Sequence, residues 1–286
     1  SMYGNVDAAL RFFIKFKSIM IDIGCIQSDV DPCVFYKLDE NGKIELICAS
    51  HVDDTIVAGR KPAIDKLMDD FEKHLKIDRL GKLKKHLGVW WEWLKDENDE
   101  WMLQASMEKM RTSIVKQYEE NVETVKEQQS PAIPGGNNTV QREPEDPTKY
   151  KEQITLYKSI LGKISYFQTK MGVDISNATR ELASIGAIPY EEHWKMMGRL
   201  VGHLKGKKPY TFVLKSPEEL RGIHVCDSSH AACQRTRRSI SGRIMTLGGS
   251  ILDHGSKKQP IVALSSTEAE LMSYAACAQG AQFLQN

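Results

Sequence analysis

No apolar run in this sequence approaches the roughly 20 residues that a helix needs to cross a bilayer, so no membrane-spanning helix is expected. No segment has the layout of a secretory signal. The chain begins with Ser rather than Met, which suits a tag residue, a processed start or a fragment. An excess of one charge is also missing. With 39 basic and 38 acidic residues the net charge is +1, so any nucleic-acid surface must be a local patch. The paired CxxC spacing of a strong zinc site is absent. Cys226, His230, Cys233 and His254 form only a loose cluster, and the six scattered cysteines read as free thiols in a reducing compartment. No internal repeat is visible.

What is there suits a globular chain. At 286 residues, with 41% hydrophobic and 27% charged residues, there is material for two domains, or one domain and part of another. Leu10, Phe13, Ile14 and Ile21 share a helical face, which predicts a helix over 7–23 stopped by Gly24. DPCVFYKL and KIELICAS predict two strands around the turn signal DENGK, and TIVAG a third. Ile64, Leu67, Met68, Phe71 and Leu75 predict a helix over 61–75. LKKHLGVWWEWL and EWMLQAS predict a hairpin turning at KDEND, followed by a helix over 107–118. Residues 119–150, with PAIPGGNN and REPEDPTKY, read as a loop or linker. Helices over 156–170, 176–185 and 191–205 follow, the last stopped by Gly206. From residue 219 the pattern turns to strands: LRGIHVCDSS, SISGRIMTLGG, SILDHGS and QPIVALSS. A helix over 267–283 ends the chain.

One stretch, KIELICASHVDDTIVAG, sets Asp53 and Asp54 side by side between two apolar runs. Adjacent carboxylates repel, and strand interiors disfavour Asp. A hairpin tip that presents carboxylates can hold divalent ions for phosphoryl transfer, in which two metals roughly 3.5–4 Å apart clamp the attacking and leaving oxygens. Strand alternation sends the two side chains in different directions, so one is the main ligand and the other a lesser one. A further carboxylate must come from elsewhere. An ordinary acidic turn is the other reading of a bare VDD.

The flanks resemble a known family. HVDDTIVAGR is similar to the third catalytic motif of reverse transcriptases, with His51 where a tyrosine is usual. MYGNVDAALRFF, QSDVDPCVFYK and LGKLKKHLGVWWEW resemble the palm helix start, the strand into the hairpin and the primer-grip hairpin. YKSILGKISYFQTK, EEHWKMMGRLVGHLKG, RRSISG and SKKQPIVALSSTEAEL follow in order. Together they resemble the Pol polyprotein of copia-type LTR retrotransposons over nearly the whole chain.

The resemblance implies an α+β fold: a partial reverse-transcriptase palm over 1–104, helical thumb elements over 105–213 with a loop at about 119–150, and the first part of an RNase H-like domain over 214–286. It implies RNA-directed DNA polymerisation and RNA cleavage in hybrids, dependent on Mg²⁺ or Mn²⁺, with Asp53 and Asp54 as polymerase ligands. In the second domain it implies Asp227 and Glu270 as ligands. Glu268 and Glu270, two apart on a helix, point about 200° apart. The family's glutamate precedes an apolar residue, as Glu270 precedes Leu271, whereas Glu268 suits a cap on Ser265 or Ser266. The family's first catalytic aspartate would precede this chain and its later RNase H aspartates would follow Asn286, so a fragment inactive alone is expected. The implied partners are an RNA template, RNA–DNA hybrid and deoxynucleotides, in an intracellular setting, a cytoplasmic particle or the nucleus. A domesticated derivative that binds nucleic acid or protein without catalysis is the alternative.

Basic clusters add candidates for phosphate contact. Lys82, Lys84 and Lys85 precede the WWEW hairpin, Arg235, Arg237 and Arg238 follow Asp227, and Lys257 and Lys258 precede the last expected strand. Such groups neutralise phosphates without reading bases, and a solvated charged face is the plainer reading. Alternation puts Trp91 and Trp93 on one face of their strand and Trp90 on the other. Trp91 is the candidate for contact with nucleic acid, and His193 and Trp194 suit thumb packing.

Overall fold

A computed structural model describes residues 7–133, 147–185, 188–207, 209–216 and 219–285. Most of the expected PAIPGGNN–REPEDPTKY loop therefore lies outside the described residues, as do residues 2–6 of the MYGNV segment. The fold mixes helices with antiparallel sheets, in keeping with an α+β class. It divides into two compact units, one ending at Leu87 and one spanning Gly88–Gln285. The WWEW hairpin belongs to the second.

In the first unit, α1 (Ala8–Asp22) ends where Gly24 adopts φ 85°. The Gly24 and Cys25 amides bond back to Ile21 and Met20, a Schellman closure. Strands β1 (Ile26–Gln27), β2 (Val34–Leu38), β3 (Ile44–His51) and β4 (Asp54–Gly59) form one antiparallel sheet in chain order. The β2–β3 turn is made by Asp39, whose carboxylate accepts the Asn41 and Lys43 amides at 2.9 Å. Helix α2 (Lys61–Glu72) and a two-residue strand β5 (Lys85–His86) complete the unit. One face of the sheet buries Phe35, Leu46 and Cys48 against Phe16, Ile19 and Met20 of α1 and Leu67 and Phe71 of α2. Phe16 stands edge-on to Phe35, with ring centroids 5.7 Å apart.

The second unit opens with β6 (Val89–Lys95) and β7 (Trp101–Ser106), the hairpin that the sequence predicts. Strand β8 (Thr211–Lys215) pairs with β7 across more than a hundred residues. Between them lie α3 (Glu108–Asn121), a 3₁₀ turn at Pro147–Tyr150, α4 (Lys151–Lys170), α5 (Ser176–Ala183) and α6 (Glu191–Gly206). Their core holds Ile114, Tyr118, Ile160, Ile164, Phe167, Leu200, Val201 and Leu204. Gly198 and Gly202 make α6 thin on one side. A Cβ at Gly198 would stand 2.7 Å from the Tyr118 hydroxyl, and one at Gly202 would collide with the Lys126 carbonyl. The Gln128 amide uses that approach to bond the Gly202 carbonyl. A polar knot with buried His203 and Tyr210 closes the same end: the exposed Asp174 accepts from His203 Nε2 at 2.8 Å, from the Tyr210 hydroxyl at 3.2 Å and from Lys207.

The unit ends with β9 (Gly222–Ser229), β10 (Ile240–Leu247) and β11 (Ser250–Lys258), ordered β11-β10-β9, and α7 (Ser266–Gln285). QPIVALSS, read from sequence as a strand, is not one. Gln259 ends β11 by bonding its amide to Ser239 O and its side chain to Ser241 Oγ and Ala269 O, and Pro260 has no donor to continue a ladder. Lys257 and Lys258 consequently lie inside the last strand rather than before it.

Candidate functional site

The β3–β4 ladder closes on the pair His51–Asp54, which leaves Val52 and Asp53 as a two-residue turn. Val52 takes φ 57°, a sign that such turns usually give to glycine. Ser50 Oγ donates to Val52 O at 3.3 Å, and Thr55 Oγ1 donates to Ser50 Oγ at 3.3 Å, bracing the tip. Leu46, Cys48 and Val57 pack against the core, so alternation turns Ile47, Ala49, His51, Asp54 and Ile56 to the opposite, open face. Both aspartates are exposed. Their adjacency is tolerable because one sits in the turn and the other on the water-facing side of the last ladder pair.

A second carboxylate set lies where β9 meets α7. Glu270 Oε1 accepts the Ser228 amide at 3.3 Å, and Ser273 Oγ donates to Asp227 O at 3.0 Å. Glu268 acts elsewhere: its amide bonds Ser265 Oγ at 3.1 Å and its carboxylate takes the Leu264 amide at 2.6 Å, which caps α7. Glu270, not Glu268, thus reaches β9. Helix α7 covers the face bearing Cys226 and Met245, since Cys277 meets Cys226 and Gly280 abuts Met245. Alternation gives the Asp227 side chain to the other face, with Ile223 and Val225. The structure brings Glu270 to the backbone beside Asp227 without showing the two carboxylates as a pair.

The basic residues gather at this end of the sheet. Ile240 is opposite Lys258 and Ser241 opposite Lys257, so the loop carrying Arg235, Arg237 and Arg238 adjoins the end of β11. Lys258 Nζ stands 4.0 Å from Cys233 Sγ. Lys82, Lys84 and Lys85 are exposed in the first unit. Trp91 packs against the helical core of the second unit, with its Nε1 buried and without a hydrogen-bond partner. Trp90, Trp93 and Trp101 are the exposed rings. Trp93 and Trp101 meet edge-on at 6.5 Å, and Lys109 sits 4.0 Å over Trp90.

Exposed carboxylates are the right kind of ligand for Mg²⁺. Among the described residues, however, no group of three or more His, Cys, Asp or Glu side chains could hold an ion. As they stand, the two pairs do not fit a two-metal site. Cys226, His230, Cys233 and His254 do not converge either: His230 Nε2 lies 3.1 Å from Ala263 O, and His254 Nδ1 3.3 Å from Ser176 Oγ. A cavity of about 490 Å³ beside α5 and α6 is lined by Glu181, Leu182, Lys195 and Arg199 among others, and by none of the four candidate carboxylates. Sequence reasoning missed one working residue. His193 Nδ1 accepts the Tyr190 amide at 3.0 Å and so caps α6; the signal was its place three residues after Tyr190.

No family model matches the chain. Among curated proteins, the Retrovirus-related Pol polyprotein from transposon TNT 1-94 of Nicotiana tabacum is 27% identical over 277 residues, covering 94% of this chain and 20% of that protein. The chain is a homologue of copia-type transposon Pol polyproteins. The corresponding polyprotein from transposon RE1 of Arabidopsis thaliana is 24% identical over 278 residues, 96% of this chain and 18% of its own length. The chain therefore spans about a fifth of the length of these Pol relatives. Secreted RxLR effector protein 161 of Plasmopara viticola is 30% identical over 128 residues, 45% of this chain and 90% of that protein. No helix among the described residues is long and apolar enough to cross a membrane.

Proposed function

We propose that this Pol homologue is the palm, thumb and first RNase H part of a copia-type reverse transcriptase, and that it does not polymerise by itself. The observation that carries the reading is the β3–β4 tip, where a two-residue turn presents Asp53 and sets Asp54 on the open face of an antiparallel sheet backed by two helices. That frame suits carboxylates that hold Mg²⁺ or Mn²⁺ against deoxynucleotide phosphates on an RNA template. The Asp227–Glu270 end, beside Arg237, Arg238, Lys257 and Lys258, suits contact with the backbone of an RNA–DNA hybrid. Phosphoryl transfer depends on charge stabilisation by the full ligand set, and the tip supplies two carboxylates. The natural setting for such chemistry is a cytoplasmic particle or the nucleus.

The test is primer extension on an RNA template with Mg²⁺ or Mn²⁺, using the chain alone and joined to the segment that precedes it in a Pol relative. The expected result is no synthesis alone, and synthesis by the joined protein that Asp53→Asn removes. Synthesis by the chain alone, or none by a folded joined protein, would overturn the reading.

One observation favours a second reading, a derivative without catalysis. A stretch of 128 residues aligns with nine-tenths of the Plasmopara protein, so part of this sequence pattern makes up most of another, shorter protein. Hybrid binding by the chain that is indifferent to salt would weigh against phosphate contact as its cause, and a folded chain that binds no hybrid would weigh towards a protein partner.

A further inference from the structure

Helix α7 lies close on its sheet because the residues that it turns inward are small. Ala269, Ser273 and Cys277 are buried in one row along the helix, and Gly280 continues that row. Ser273 Oγ reaches the Asp227 carbonyl at 3.0 Å, and a Cβ at Gly280 would stand 2.8 Å from Met245 Sδ. These two contacts bracket Cys277. Strand β9 turns Cys226 to the same side, and the two thiols meet within hydrogen-bonding reach.

A buried thiol commonly serves as a small apolar filler, and Cys277 alone would fit that role. A second sulfur directly opposite, on a strand held in register by its whole ladder with β10, adds chemistry that packing does not need. Burial pushes the Cys277 thiol up, and the nearby Cys226 sulfur adds to the effect. The half-buried Cys226 is therefore the sulfur that reacts first, with Cys277 as its resolving partner.

We propose that Cys226 and Cys277 join reversibly as a disulfide that locks α7 onto β9 under hydrogen peroxide. The Cys226 thiolate attacks one peroxide oxygen, the O–O bond breaks, and hydroxide leaves with the Cys226 proton as water. Cys226 is then a sulfenic acid. The Cys277 sulfur attacks the Cys226 sulfur, the S–S bond forms and the S–O bond breaks. The departing hydroxide takes the Cys277 proton as a second water. Two thiols have lost two electrons, and peroxide has gained them. A small thiol reverses the bond by exchange. The bond closes a loop that holds β10 and β11, which opposes separation of α7 from the sheet. Glu270 stands two turns before Cys277 on the same side of the helix, so the bond also keeps its carboxylate at the Ser228 amide. The proposal rests on the packing of α7 alone and is independent of the polymerase reading.

Peroxide treatment of the 286-residue chain carrying Cys33→Ser/Cys233→Ser, which removes the other half-buried thiols, tests it. Peptide mass mapping is expected to find Cys226 joined to Cys277 with the loss of two hydrogen atoms, and the buried Cys25 and Cys48 still free. Amide exchange across α7 should slow by roughly tenfold or more, and dithiothreitol should restore the first rate. Adding Cys277→Ser should stop Cys226 at the sulfenic acid, which dimedone traps. If the substituted chains fold poorly, the same mapping on the unaltered chain decides. A folded chain in which Cys226 and Cys277 stay unlinked, or link to other cysteines or between chains, overturns the proposal. A linked chain whose α7 exchanges as fast as before overturns it equally, since the bond would then lock nothing.

Discussion

The Asp53–Asp54 tip and the Asp227–Glu270 end carry the same kind of side chain in different frames. The tip is local. Two strands and a two-residue turn set both carboxylates, and its one oddity is a β-branched residue at positive φ. The other end is assembled from a strand and a helix more than 35 residues apart in sequence, and depends on how α7 lies across β9. A local frame presents its carboxylates wherever its hairpin forms, whereas a non-local frame presents them only when the packing behind it is right. Strain in the first frame and packing in the second are the features to perturb.

The largest effect should come from the support of the tip. Phe35 is fully buried between α1 and the sheet, so Phe35→Ala should destabilise the first unit by about 3–5 kcal/mol. Urea unfolding followed by amide exchange at β3 and β4 would show it. A loss below about 1 kcal/mol, the range of a tolerated core swap, would mean that the hairpin does not lean on this core. In the second unit Gly202→Ala drives a methyl into the Lys126 carbonyl, a backbone group that cannot step aside as a side chain does. The expected cost is about 1–3 kcal/mol, with loss of protection at the Gln128 amide. An unchanged midpoint would show that α6 stands further from residues 126–128.

Val52→Gly should act in the opposite direction. Positive φ costs a β-branched residue on the order of 1–3 kcal/mol, and glycine returns part of that through its own entropy. A net gain of about 1 kcal/mol is expected, read from the urea midpoint. A loss would mean that the Val52 side chain makes up for its backbone.

A smaller contrast is in pH. In the second unit burial pushes His193 and His254 below the ordinary histidine value, with Glu192 and Asp253 respectively pulling the other way. Both take up a proton at lower pH in the fold than in the unfolded chain, which does so at about 6.5. Their contribution is fully present above that pH and is lost as pH falls below it, towards the folded-state values. In the first unit burial pushes the Cys25 and Cys48 thiols up, Cys48 to about 12, so they stay neutral across the same window. Between pH 7.5 and 5.5 the second unit should lose stability and the first should not, as followed by amide exchange. Equal loss in both would remove the histidines as the cause.

Local chemistry made the first unit legible in the sequence. Gly24 at positive φ, the Asp39 turn and the helical spacing up to Phe71 each act within a few residues. The tip could be read for the same reason. What escaped was non-local. TFVLK is a strand because β7 offers it an edge from far along the chain. QPIVALSS has a strand's composition but spends its hydrogen-bonding capacity on Ser239, Ser241 and Ala269. Alternation within the WWEW strand did not say which face would be core, and it was Trp91 that went inward. Near Asp227, spacing on one helix said only that Glu268 and Glu270 point apart, and the family resemblance, not the spacing, chose Glu270, whose carboxylate takes the Ser228 amide while Glu268 caps α7. The sequence could not tell which face of β9 that helix would cover.

In the proposed function the tip is a polymerase metal site with too few ligands. Mn²⁺ titrated into the isotopically labelled chain tests it most directly, through paramagnetic broadening of backbone signals. Weak binding is expected, with broadening centred on Val52, Asp53 and Asp54 and removed by Asp53→Asn/Asp54→Asn. Tight binding at the tip would contradict the shortage of ligands, and broadening that leaves the tip untouched would contradict the site itself.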